Sequence, residues 1–569
     1  MLEPIAYDIG RLCKEEDKEL TPKLIDIDVI GLSQEKIFYG IMTPFRCPNS
    51  KSIYELRKSY VKADGIKMPF DTFRELTSIF KKSFIGTVKY KGNVFKYQIL
   101  NFGKHVDLIE LEDADLYIIA DGRRLIERKE LQIIPKIREK ISPNSAIYSP
   151  AVFPWEIPLL AYIGVDYFDD SLAKLYASMG YKFTKNRAVK VDSFSFEELY
   201  NNNKKVYEEI LEEVRIAIKN GFLRNVVEET AVSHPYLWAN YRRYEPDLRN
   251  IPLSKENKII VTTNINIPEV KKYLERLDNY EPYSNIIVLL PCSSKKPYSI
   301  SQSHQKFIKA IKSAKVVVEE VILTSPYGLV PRALERLVNY DIPVTGEWSF
   351  EEIELINNCL KNFLKKVKEK FDDYIVIAHL PEHYLEILEL DDIVITSKGN
   401  PTSEEALKNL TDTLKKYKEL TKSKDINKKG QRIHNIQQLA EFQFGINFIP
   451  NEIFINHKGQ IFTKINNKNQ QIASINPKNG LLILTLSGGE LLWNSGGKDI
   501  NYIEVNYEIK KGSLFPPGFV DCNENISYND EVVLIKDDTF LGIGRALMSG
   551  FEMKKAKHGA LVNIRNVKS

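Results

Sequence analysis

Short apolar runs alternate with amphipathic stretches between residues 257 and 420. The runs are rich in β-branched residues, as is typical of strands that are buried on both faces of a parallel sheet. The stretches between them repeat apolar residues every three or four positions, as helices packed on a sheet do. The candidate strands are residues 259–262, 286–290, 316–323, 374–378 and 393–396. This alternation predicts a doubly wound α/β domain over residues 257–420.

The pattern changes on the C-terminal side of this domain. A polar, lysine-rich stretch around Gly430 is typical of a linker. Residues 433–500 form a predicted small α+β domain, and residues 501–569 contain short apolar runs separated by turn residues. The clearest of these short runs are 532–535, 542–546 and 560–564. The C-terminal segment is therefore expected to be a small domain of β-strands.

The loop that follows the predicted strand at 286–290 is rich in reactive side chains. Residues 291–304 read Pro-Cys-Ser-Ser-Lys-Lys-Pro-Tyr-Ser-Ile-Ser-Gln-Ser-His. Because open α/β sheets bind ligands outside the carboxyl ends of their strands, chemistry is expected in this loop. Pro297 disfavours a helical conformation in the residue before it. The next helix is therefore expected to begin only after this loop, with Ser299 and Gln302 at the spacing of a capping box.

Cys292 is the candidate nucleophile of this loop. A free cysteine is often a small buried hydrophobe, but this one is followed by serines and lysines rather than by apolar residues. A position near a helix N-terminus and beside Lys295 and Lys296 favours the thiolate of a group whose ordinary pKa is about 8.5. His304 begins the apolar stripe that Phe307 continues, so its imidazole is expected to face inward near Cys292. His304 is therefore either a buried core residue or a general base.

The string at 291–304 resembles the signature Pro-Cys-x-x-x-Lys-Pro-Tyr-x-x-Ser-x-x-His of the archaeal archaeosine synthases, which are paralogues of the tRNA-guanine transglycosylases, and every specified position is filled. The resemblance implies modification of tRNA at position fifteen of the D-loop. There, the nitrile of 7-cyano-7-deazaguanine is converted to an amidine by addition of an amine. The implied amine is free lysine or ammonia from glutamine. In the lysine route a partner radical-SAM enzyme cleaves the adduct, and a homodimer or a complex with that partner is implied.

This chemistry gives the residues of the loop specific roles. A thiolate of Cys292 that adds to the electrophilic nitrile carbon gives a covalent thioimide, which an amine can displace. The nitrile nitrogen then needs a proton, and His304 or Tyr298 are the candidate donors. Lys296 is assigned to the catalytic set together with these residues. Lys295 and Lys296 either lower the pKa of the thiol or hold a phosphate of the tRNA.

Substrate-binding residues are expected in the same region. Four further loops follow predicted sheet positions, at 324–332, 343–348, 379–383 and 397–401. Arg332 is suited to a carboxylate, such as that of a free amino acid. Glu347 offers an acid and Trp348 a stacking surface for a base taken out of its stack. Ser301, the serine of the signature, is assigned to substrate binding as well. The alternative for Arg332 and Glu347 is a solvated surface position.

The C-terminal segment resembles a PUA domain, a small RNA-binding β-barrel. The likeness rests on the strings at 542–546, 549–553 and 557–560, which include Gly-Ile-Gly-Arg-Ala and Lys-His-Gly-Ala. It implies a folded tRNA as the partner and salt-sensitive binding through phosphate contacts. The candidate tRNA-binding residues are Arg545, Lys554, Lys555 and Lys557. A merely solvated basic face is the alternative.

Residues 1–240 resemble the transglycosylase barrel in a degraded form, through the strings at 164–170 and 214–224. The Asp-Ser-Gly-Gly-Phe-Gln string of the base-binding carboxylate is missing, and no cysteine falls between Cys47 and Cys292. Without thiolate ligands the thiol-rich zinc site of that family cannot form, so no metal is expected. The resemblance thus implies a noncatalytic, degenerate TIM-barrel-like domain. Asp169 and Asp170 are expected to cap a helix with Ser171 rather than to act as paired catalytic carboxylates.

Composition narrows the function classes further. The net charge of +4 over 569 residues is too small to identify a nucleic-acid partner by itself. The five cysteines suggest no disulfide framework or metal-ligand spacing, and no apolar run is long enough to cross a bilayer. The expectation is a multi-domain α/β enzyme of the cytoplasm, without a membrane segment or cofactor. Two other functions stay open, a base-exchanging transglycosylase and a noncatalytic tRNA-binding scaffold for a partner enzyme.

Overall fold

The structure of the chain, a computed structural model, describes residues 2–25, 84–90, 93–100, 111–119, 122–193, 195–244, 251–254, 265–341, 347–422 and 426–568. The chain divides into two compact units. The first contains Met1–Asn250 and Leu547–Leu561, and the second contains Ile251–Ala546 and Val562–Ser569. None of the described helices combines the length and apolarity that a bilayer crossing needs. The bounds of the four predicted domains stay a prediction.

The first unit is built around a six-stranded sheet. The strands of this unit are β1 (Glu3–Asp8), β2 (Gly10–Lys14), β3 (Leu20–Thr21), β4 (Lys23–Leu24), β5 (Phe84–Tyr90), β6 (Asn93–Leu100), β7 (Leu116–Ile119), β8 (Ala146–Tyr148), β9 (Tyr167–Phe168), β10 (Tyr181–Phe183) and β11 (Ala188–Lys190). The large sheet has the order β4-β9-β8-β7-β6-β5. Its pairs are parallel except for the β5–β6 hairpin. These pairings do not test closure, so the degenerate TIM-like barrel stays a prediction.

Helices cover this sheet through apolar side chains. They are α1 (Gly122–Arg128), α2 (Ile133–Lys140), α3 (Ile157–Tyr162), α4 (Ser171–Ser178), α5 (Phe196–Asn220), α6 (Leu223–Ala231) and α7 (Pro235–Tyr244). Helix α5 begins where the Ser195 side chain accepts a hydrogen bond from the backbone N–H of Glu198, and it ends at Gly221, whose φ is 77°. Glycine adopts that left-handed conformation at little cost, which explains why the helix ends there.

Asp169 binds the first residue of helix α4, whereas Asp170, the N-cap residue, makes no capping hydrogen bond, so the predicted cap is correct only in part. The Asp169 Oδ1 accepts a hydrogen bond of 2.8 Å from the backbone N–H of Ser171, and its Oδ2 accepts one of 2.8 Å from the N–H of Ala151. Burial raises the pKa of this carboxyl. Asp170 instead accepts a hydrogen bond of 2.7 Å from the Tyr200 hydroxyl. The two carboxylates therefore have separate structural partners.

The second unit contains the five-stranded central sheet. Its strands are β12 (Ile286–Pro291), β13 (Glu319–Thr324), β14 (Gly328–Pro331), β15 (Ile375–Ala378) and β16 (Val394–Ile395), in the order β14-β13-β12-β15-β16. All six residues of β12 are buried, and burying each large aliphatic side chain contributes about 1.5–3 kcal/mol. Four of the predicted strands are thus confirmed. The fifth, at 259–262, lies outside the described residues.

The prediction of a loop at 324–332 was wrong over four residues. Strand β14 pairs antiparallel with β13, with Leu329 opposite Leu323. Both leucines are fully buried, as is Val330. Because these apolar side chains fill the core, the chain turns back onto the sheet instead of leaving it. Arg332 then begins a short 3₁₀ turn directly after the strand.

The described residues of this part of the second unit form seven helices. They are α8 (Pro268–Leu277), α9 (Gln302–Ala314), α10 (Phe350–Lys370), α11 (Glu382–Leu385), α12 (Glu404–Lys416), α13 (Glu419–Lys422) and α14 (Lys428–Phe444). Helix α9 connects β12 to β13 on one side, whereas α10 leads to β15 on the other side of β12. The connections therefore diverge at the carboxyl end of β12, which is the switch point where α/β sheets bind ligands.

Two local predictions need correction here. The side chain that caps α9 belongs to Ser301, which accepts from the backbone N–H of His304, and not to Ser299. The polar stretch around Gly430 is the first turn of α14 rather than a linker, because Asn427 caps this helix by accepting from the N–H of Gly430. Apolar residues later in the helix, such as Leu439, pack into the core and override the polar start.

The remaining elements form two small sheets and a helix. They are β17 (Ile453–Ile455), β18 (Gln460–Ile465), β19 (Lys468–Ile475), β20 (Leu482–Leu484), α15 (Leu486–Gly496), β21 (Tyr502–Val505), β22 (Gly512–Leu514), β23 (Phe519–Cys522), β24 (Glu531–Lys536), β25 (Thr539–Ala546) and β26 (Val562–Val567). Strands β17 to β20 form one sheet, and the other has the order β22-β26-β25-β24-β21-β23. A continuous apolar core runs from the central sheet to Ile543 in β25.

The segment between β25 and β26 belongs to the first unit. It contains the short helix α16 (Gly550–Met553). The buried amide of Asn144 holds it, because Oδ1 accepts 2.7 Å from the N–H of Lys557 and Nδ2 donates 3.1 Å to the carbonyl of His558. The Tyr7 hydroxyl donates to Glu552 over 3.2 Å. The first unit is thus completed by residues from the far end of the chain.

Candidate active site

Cys292 lies directly after β12, at the switch point of the central sheet, and is partly exposed. Its Sγ accepts a hydrogen bond of 3.1 Å from the hydroxyl of Tyr384, and its backbone N–H donates to the same hydroxyl over 3.4 Å. Tyr384 lies on α11, which follows β15, the strand that pairs with β12. The pairing of these two strands therefore places a phenol directly beside the thiol.

Two more tyrosines belong to this site. The hydroxyls of Tyr298 and Tyr340 are 2.7 Å apart, and the Tyr340 hydroxyl also contacts that of Thr324. Burial raises the pKa of Tyr298 and of Tyr384, and a negative charge on Cys292 raises both further. Burial also raises the pKa of Tyr340, with contributions from Tyr298 and Cys292. These phenols are therefore protonated at neutral pH.

The two lysines of the loop have different surroundings. The Lys296 Nζ lies 3.7 Å from the ring centroid of Tyr340, within the range of a cation–π interaction. Lys295 is exposed, and its carbonyl accepts a hydrogen bond of 3.0 Å from the Ser293 hydroxyl. The ammonium of Lys296 thus lies beside the buried tyrosines, whereas Lys295 is exposed to solvent.

His304 is fully buried in the core, with both ring nitrogens engaged. Its Nδ1 accepts from Nη2 of Arg332 at 2.9 Å, because a guanidinium can only donate. The Nε2–H consequently donates to the carbonyl of Pro291 at 3.0 Å. Burial, and then the charge of Arg332, lower the pKa of His304 to about 3. These contacts favour the interpretation of His304 as a buried core residue over that of a general base. In this arrangement neither ring nitrogen is available for proton transfer at Cys292.

Arg332 is placed in an ion cluster rather than in an open cleft. Its Nε and Nη2 donate to one oxygen of Glu320 at 2.9 and 2.6 Å, and its Nη1 donates to Glu335 at 2.8 Å. The side chain is 15% exposed. These carboxylates raise the pKa of Arg332 against the opposing effect of burial. A substrate carboxylate would have to displace one of them, so the arrangement does not favour the predicted role.

Ser301 also has a structural position. It is buried, and its Oγ accepts a hydrogen bond of 3.3 Å from the backbone N–H of His304 as the cap of α9. Its hydroxyl lies 3.3 Å from that of Ser303. The serine of the signature therefore fixes the start of the helix that carries His304. A direct contact with substrate stays a prediction.

Trp348 contacts the site through Tyr384. The two rings meet edge to face, with centroids 4.9 Å apart and an interplanar angle of 79°. The Trp348 Nε1 is buried and has no hydrogen-bond partner in the described part of the chain. Glu347 is exposed at the surface beside it. The residues 342–346 that precede this pair lie outside the described residues.

Sequence reasoning missed Tyr384 and Tyr340. The candidate loop at 379–383 ends one residue before Tyr384, which stands in the string Glu-His-Tyr-Leu. A tyrosine there was detectable as an aromatic residue just after a buried strand, but β12–β15 pairing is needed to place it on Cys292. The other histidine of that loop, His379, is buried between Thr396 and the carbonyl of Pro401, and burial lowers its pKa to about 4.

One acidic group in the described residues has the spacing of metal ligands, namely Glu15, Asp17 and Glu19. Lys23 supplies a cation to this group, because its Nζ lies 2.7 Å from Glu15 and 2.5 Å from Glu19. The ammonium therefore already pairs with two of the three carboxylates. The group belongs to the first unit, whereas Cys292 belongs to the second.

Two of the candidate tRNA-binding lysines have protein partners within the first unit. The Lys557 Nζ pairs with Asp113 at 2.6 Å, both side chains being exposed, and the Lys555 Nζ donates to the carbonyl of Glu139. Lys554 is exposed on the same segment. Arg545 lies on β25 and is half-buried. Contact of these residues with tRNA stays a prediction.

Two protein-family models match parts of the chain. The PUA domain family matches residues 502–568, which confirms the predicted C-terminal domain. A family described as a domain of unknown function, DUF5591, matches residues 270–414, which include Cys292 and Tyr384.

Full-length relatives extend this result. The archaeosine synthase subunit alpha of Methanosarcina acetivorans is 31% identical over 517 residues, covering 81% of this chain and 80% of the relative. The archaeosine synthase of Haloferax volcanii is 28% identical over 80% of this chain and 82% of its own length. The tRNA-guanine(15) transglycosylase of Methanosphaera stadtmanae is 26% identical over 62% of this chain and 53% of its own. With this identity and coverage, and with the signature at residues 291–304, the chain belongs to the archaeosine synthase family.

Proposed function

We propose that this protein modifies tRNA in archaeosine biosynthesis, by adding an amine to the nitrile of 7-cyano-7-deazaguanine at position fifteen. Membership of the archaeosine synthase family and the C-terminal PUA domain support the pathway and the tRNA substrate. The observation that carries the chemical proposal is the position of Cys292. This residue is partly exposed at the switch point of the sheet, and its sulfur is hydrogen bonded to a phenol.

In the proposed reaction the Cys292 sulfur attacks the nitrile carbon. A carbon–sulfur bond forms, one π bond of the nitrile breaks, and the nitrogen takes up a proton, which gives a thioimide. The amine then attacks the same carbon, and the sulfur leaves as the thiol. The product is an amidine. The amine is free lysine or ammonia derived from glutamine, and in the lysine route a radical-SAM partner would cleave the adduct.

The base is proposed to enter the site out of its stack. Trp348 and Tyr384 offer an aromatic corner next to Cys292, and Trp348 Nε1 is a buried donor with no partner in the described residues. A base carbonyl would satisfy that donor. Lys295 is exposed on the same loop as the cysteine, which suits a contact with a tRNA phosphate.

Further binding of tRNA is assigned to the PUA domain. The proposed contacts are Arg545, Lys554, Lys555 and Lys557. At Lys557 a phosphate must compete with the ion pair to Asp113. A homodimer or a complex with the radical-SAM partner is proposed from the family resemblance.

The decisive experiment is mass spectrometry of nucleosides from cyano-bearing tRNA after incubation with the protein and either lysine or glutamine. A mass increase by one lysine identifies lysine as the donor, whereas direct amidine formation with glutamine identifies ammonia. We expect Cys292→Ala to reduce product formation at least about 10³-fold, as expected for loss of a covalent nucleophile. Cys359→Ala is the matched control, because Cys359 lies in the same domain, where burial raises its pKa to about 12.

Two outcomes would overturn the proposal. If the protein incorporates a labelled free base into tRNA instead, it is a base-exchanging transglycosylase. If Cys292→Ala supports nitrile conversion by the complete complex at the unmodified rate, the protein is a tRNA-binding scaffold and another component carries the chemistry. In the scaffold case, binding of tRNA would persist in Cys292→Ala and depend on the PUA domain.

A further inference from the structure

Tyr384 is the side chain that contacts both the sulfur and the backbone of Cys292, yet it lies 80 positions beyond the last residue of the signature, which is His304. Tyr384 is 2% exposed, and its ring packs against Trp348. A hydroxyl has one proton to donate and two lone pairs that accept. In the structure the Tyr384 hydroxyl accepts from the Cys292 N–H and donates to the sulfur. When the phenol proton turns to the nitrile nitrogen, the second lone pair can accept the proton of the thiol.

The other candidate proton donors are held elsewhere. His304 uses both nitrogens, on Pro291 and on Arg332. The Tyr298 hydroxyl is engaged with Tyr340, whose hydroxyl also contacts Thr324. The ammonium of Lys296 lies over the Tyr340 ring. Among the described side chains, Tyr384 is the one with a hydrogen bond to the reacting sulfur.

We propose that Tyr384 is a catalytic residue that relays the proton between the Cys292 sulfur and the nitrile nitrogen. As the carbon–sulfur bond forms, the thiol proton passes to the phenol oxygen while the phenol proton passes to the nitrogen. No net charge stays on Tyr384. This inference rests on the proposed function, since it requires addition of Cys292 to a nitrile.

A relay fits the surroundings better than simple ionisation of the phenol. Burial raises the pKa of Tyr384, and a thiolate beside it raises that pKa further, so a lasting phenolate is unfavourable. A concerted exchange of protons avoids that charge. In the second half of the reaction the same hydroxyl returns a proton from the attacking amine to the leaving sulfur. Atoms and protons then balance over the whole cycle.

The test compares two reactions of the same sulfur in Tyr384→Phe. The first is thioimide formation on cyano-bearing tRNA without amine, followed by intact-protein mass. The second is alkylation of Cys292 by iodoacetamide, in which the leaving iodide needs no proton. We expect thioimide formation to fall about 10²–10⁴-fold, the usual contribution of a positioned acid–base group. The fold loss in the rate of alkylation should be at least about tenfold smaller than the fold loss in the rate of thioimide formation.

Tyr374→Phe is the matched control, since Tyr374 lies just before the opposite end of β15 and is partly exposed. We expect it to retain both rates. An equal loss of both reactions in Tyr384→Phe would mean that the phenol only orients or ionises the thiol, and an unchanged thioimide rate would exclude any role. Either result overturns the relay.

A second variant keeps the test valid if Tyr384→Phe does not fold. Site-specific 3,5-difluorotyrosine at 384 keeps the ring and the hydroxyl but makes the phenol more acidic. The relay predicts that the pH–rate profile of thioimide formation shifts, and an unshifted profile contradicts it. Failure of the underlying function has a different signature, because Cys292→Ala would then form product at the wild-type rate whatever the behaviour of Tyr384.

Discussion

At the scale of single residues, the side chains of the stretch 291–304 lie in different surroundings. Lys295 and Lys296 are adjacent, but one is exposed and the other lies over the Tyr340 ring. Cys292 and His304 both belong to the signature, but the cysteine is partly exposed and the histidine is sealed in the core. The motif therefore contains one position suited to chemistry and another that fixes the loop around it.

Arg332 joins these structural positions, and its removal gives a prediction about stability. Arg332→Ala leaves Glu320 and Glu335 without their shared cation and removes the donor to His304. Since breaking a largely buried ion pair leaves a charge uncompensated, we expect the free energy of unfolding to fall by about 3 kcal/mol. Urea denaturation followed by circular dichroism measures this. The KM for the amine donor should stay unchanged in the folded fraction.

The control is Lys361→Ala, whose partner Glu389 lies 2.5 Å away with both side chains more than half exposed. Removing that pair should cost no more than about 1 kcal/mol, because solvent screens it. A raised KM for lysine in Arg332→Ala without a loss of stability would contradict the structural role. It would return Arg332 to the substrate-binding site that the sequence predicted.

At the scale of elements, the sequence predicted local structure well where one pattern dominated. Strand β12 was placed to within one residue, because its continuous apolar run has few alternatives. Strand β14 was missed, since its pairing with β13 depends on a tight turn and on burial of Leu329 rather than on periodicity. The first turn of helix α14 was mistaken for a linker because it is polar. Tyr384 was missed because no local pattern predicts which strand lies beside β12.

The turn between β13 and β14 provides the second prediction. Gly328 has a φ of 66°, and a Cβ on it would lie 2.8 Å from the Cys359 Sγ. Gly328→Ala should therefore destabilise the protein by more than the roughly 1 kcal/mol that a left-handed conformation costs a residue other than glycine. It should also disturb Arg332, which follows β14. Thermal unfolding of the full chain measures the loss.

Gly399→Ala is the control that separates backbone strain from the steric clash, since Gly399 has a φ of 88° but open space around its Cβ position. This substitution should lower the free energy of unfolding only by the cost of the left-handed backbone conformation. The double variant Gly328→Ala with Cys359→Ala should recover part of the loss, because the colliding sulfur is gone. If the two glycine variants lose the same stability and the double variant recovers none of it, the clash with Cys359 does not contribute, which contradicts the prediction.

At the scale of the whole molecule, the first unit is made from both ends of the chain. The segment Leu547–Leu561 lies within the residues that match the PUA family, yet it groups with Met1–Asn250. Deletion of the PUA domain would therefore also remove part of the first unit. Loss of tRNA binding after such a deletion would not by itself locate the RNA contacts, so single charges in the folded chain are the better probe.

Lys557 and Asp113 are the pair best suited to this purpose. Their side chains are 43% and 72% exposed, so their ion pair contributes about 0–1 kcal/mol and a phosphate can compete with it. We expect Lys557→Ala to weaken tRNA binding and to reduce the slope of log affinity against log salt by about one. Asp113→Asn should instead tighten binding, because it releases the ammonium for phosphate. Filter binding at several salt concentrations measures both, with Lys185→Ala, whose partner Glu213 is also within the first unit, as the control. Unchanged affinity in both variants would mean that Lys557 serves only to hold its segment in the first unit.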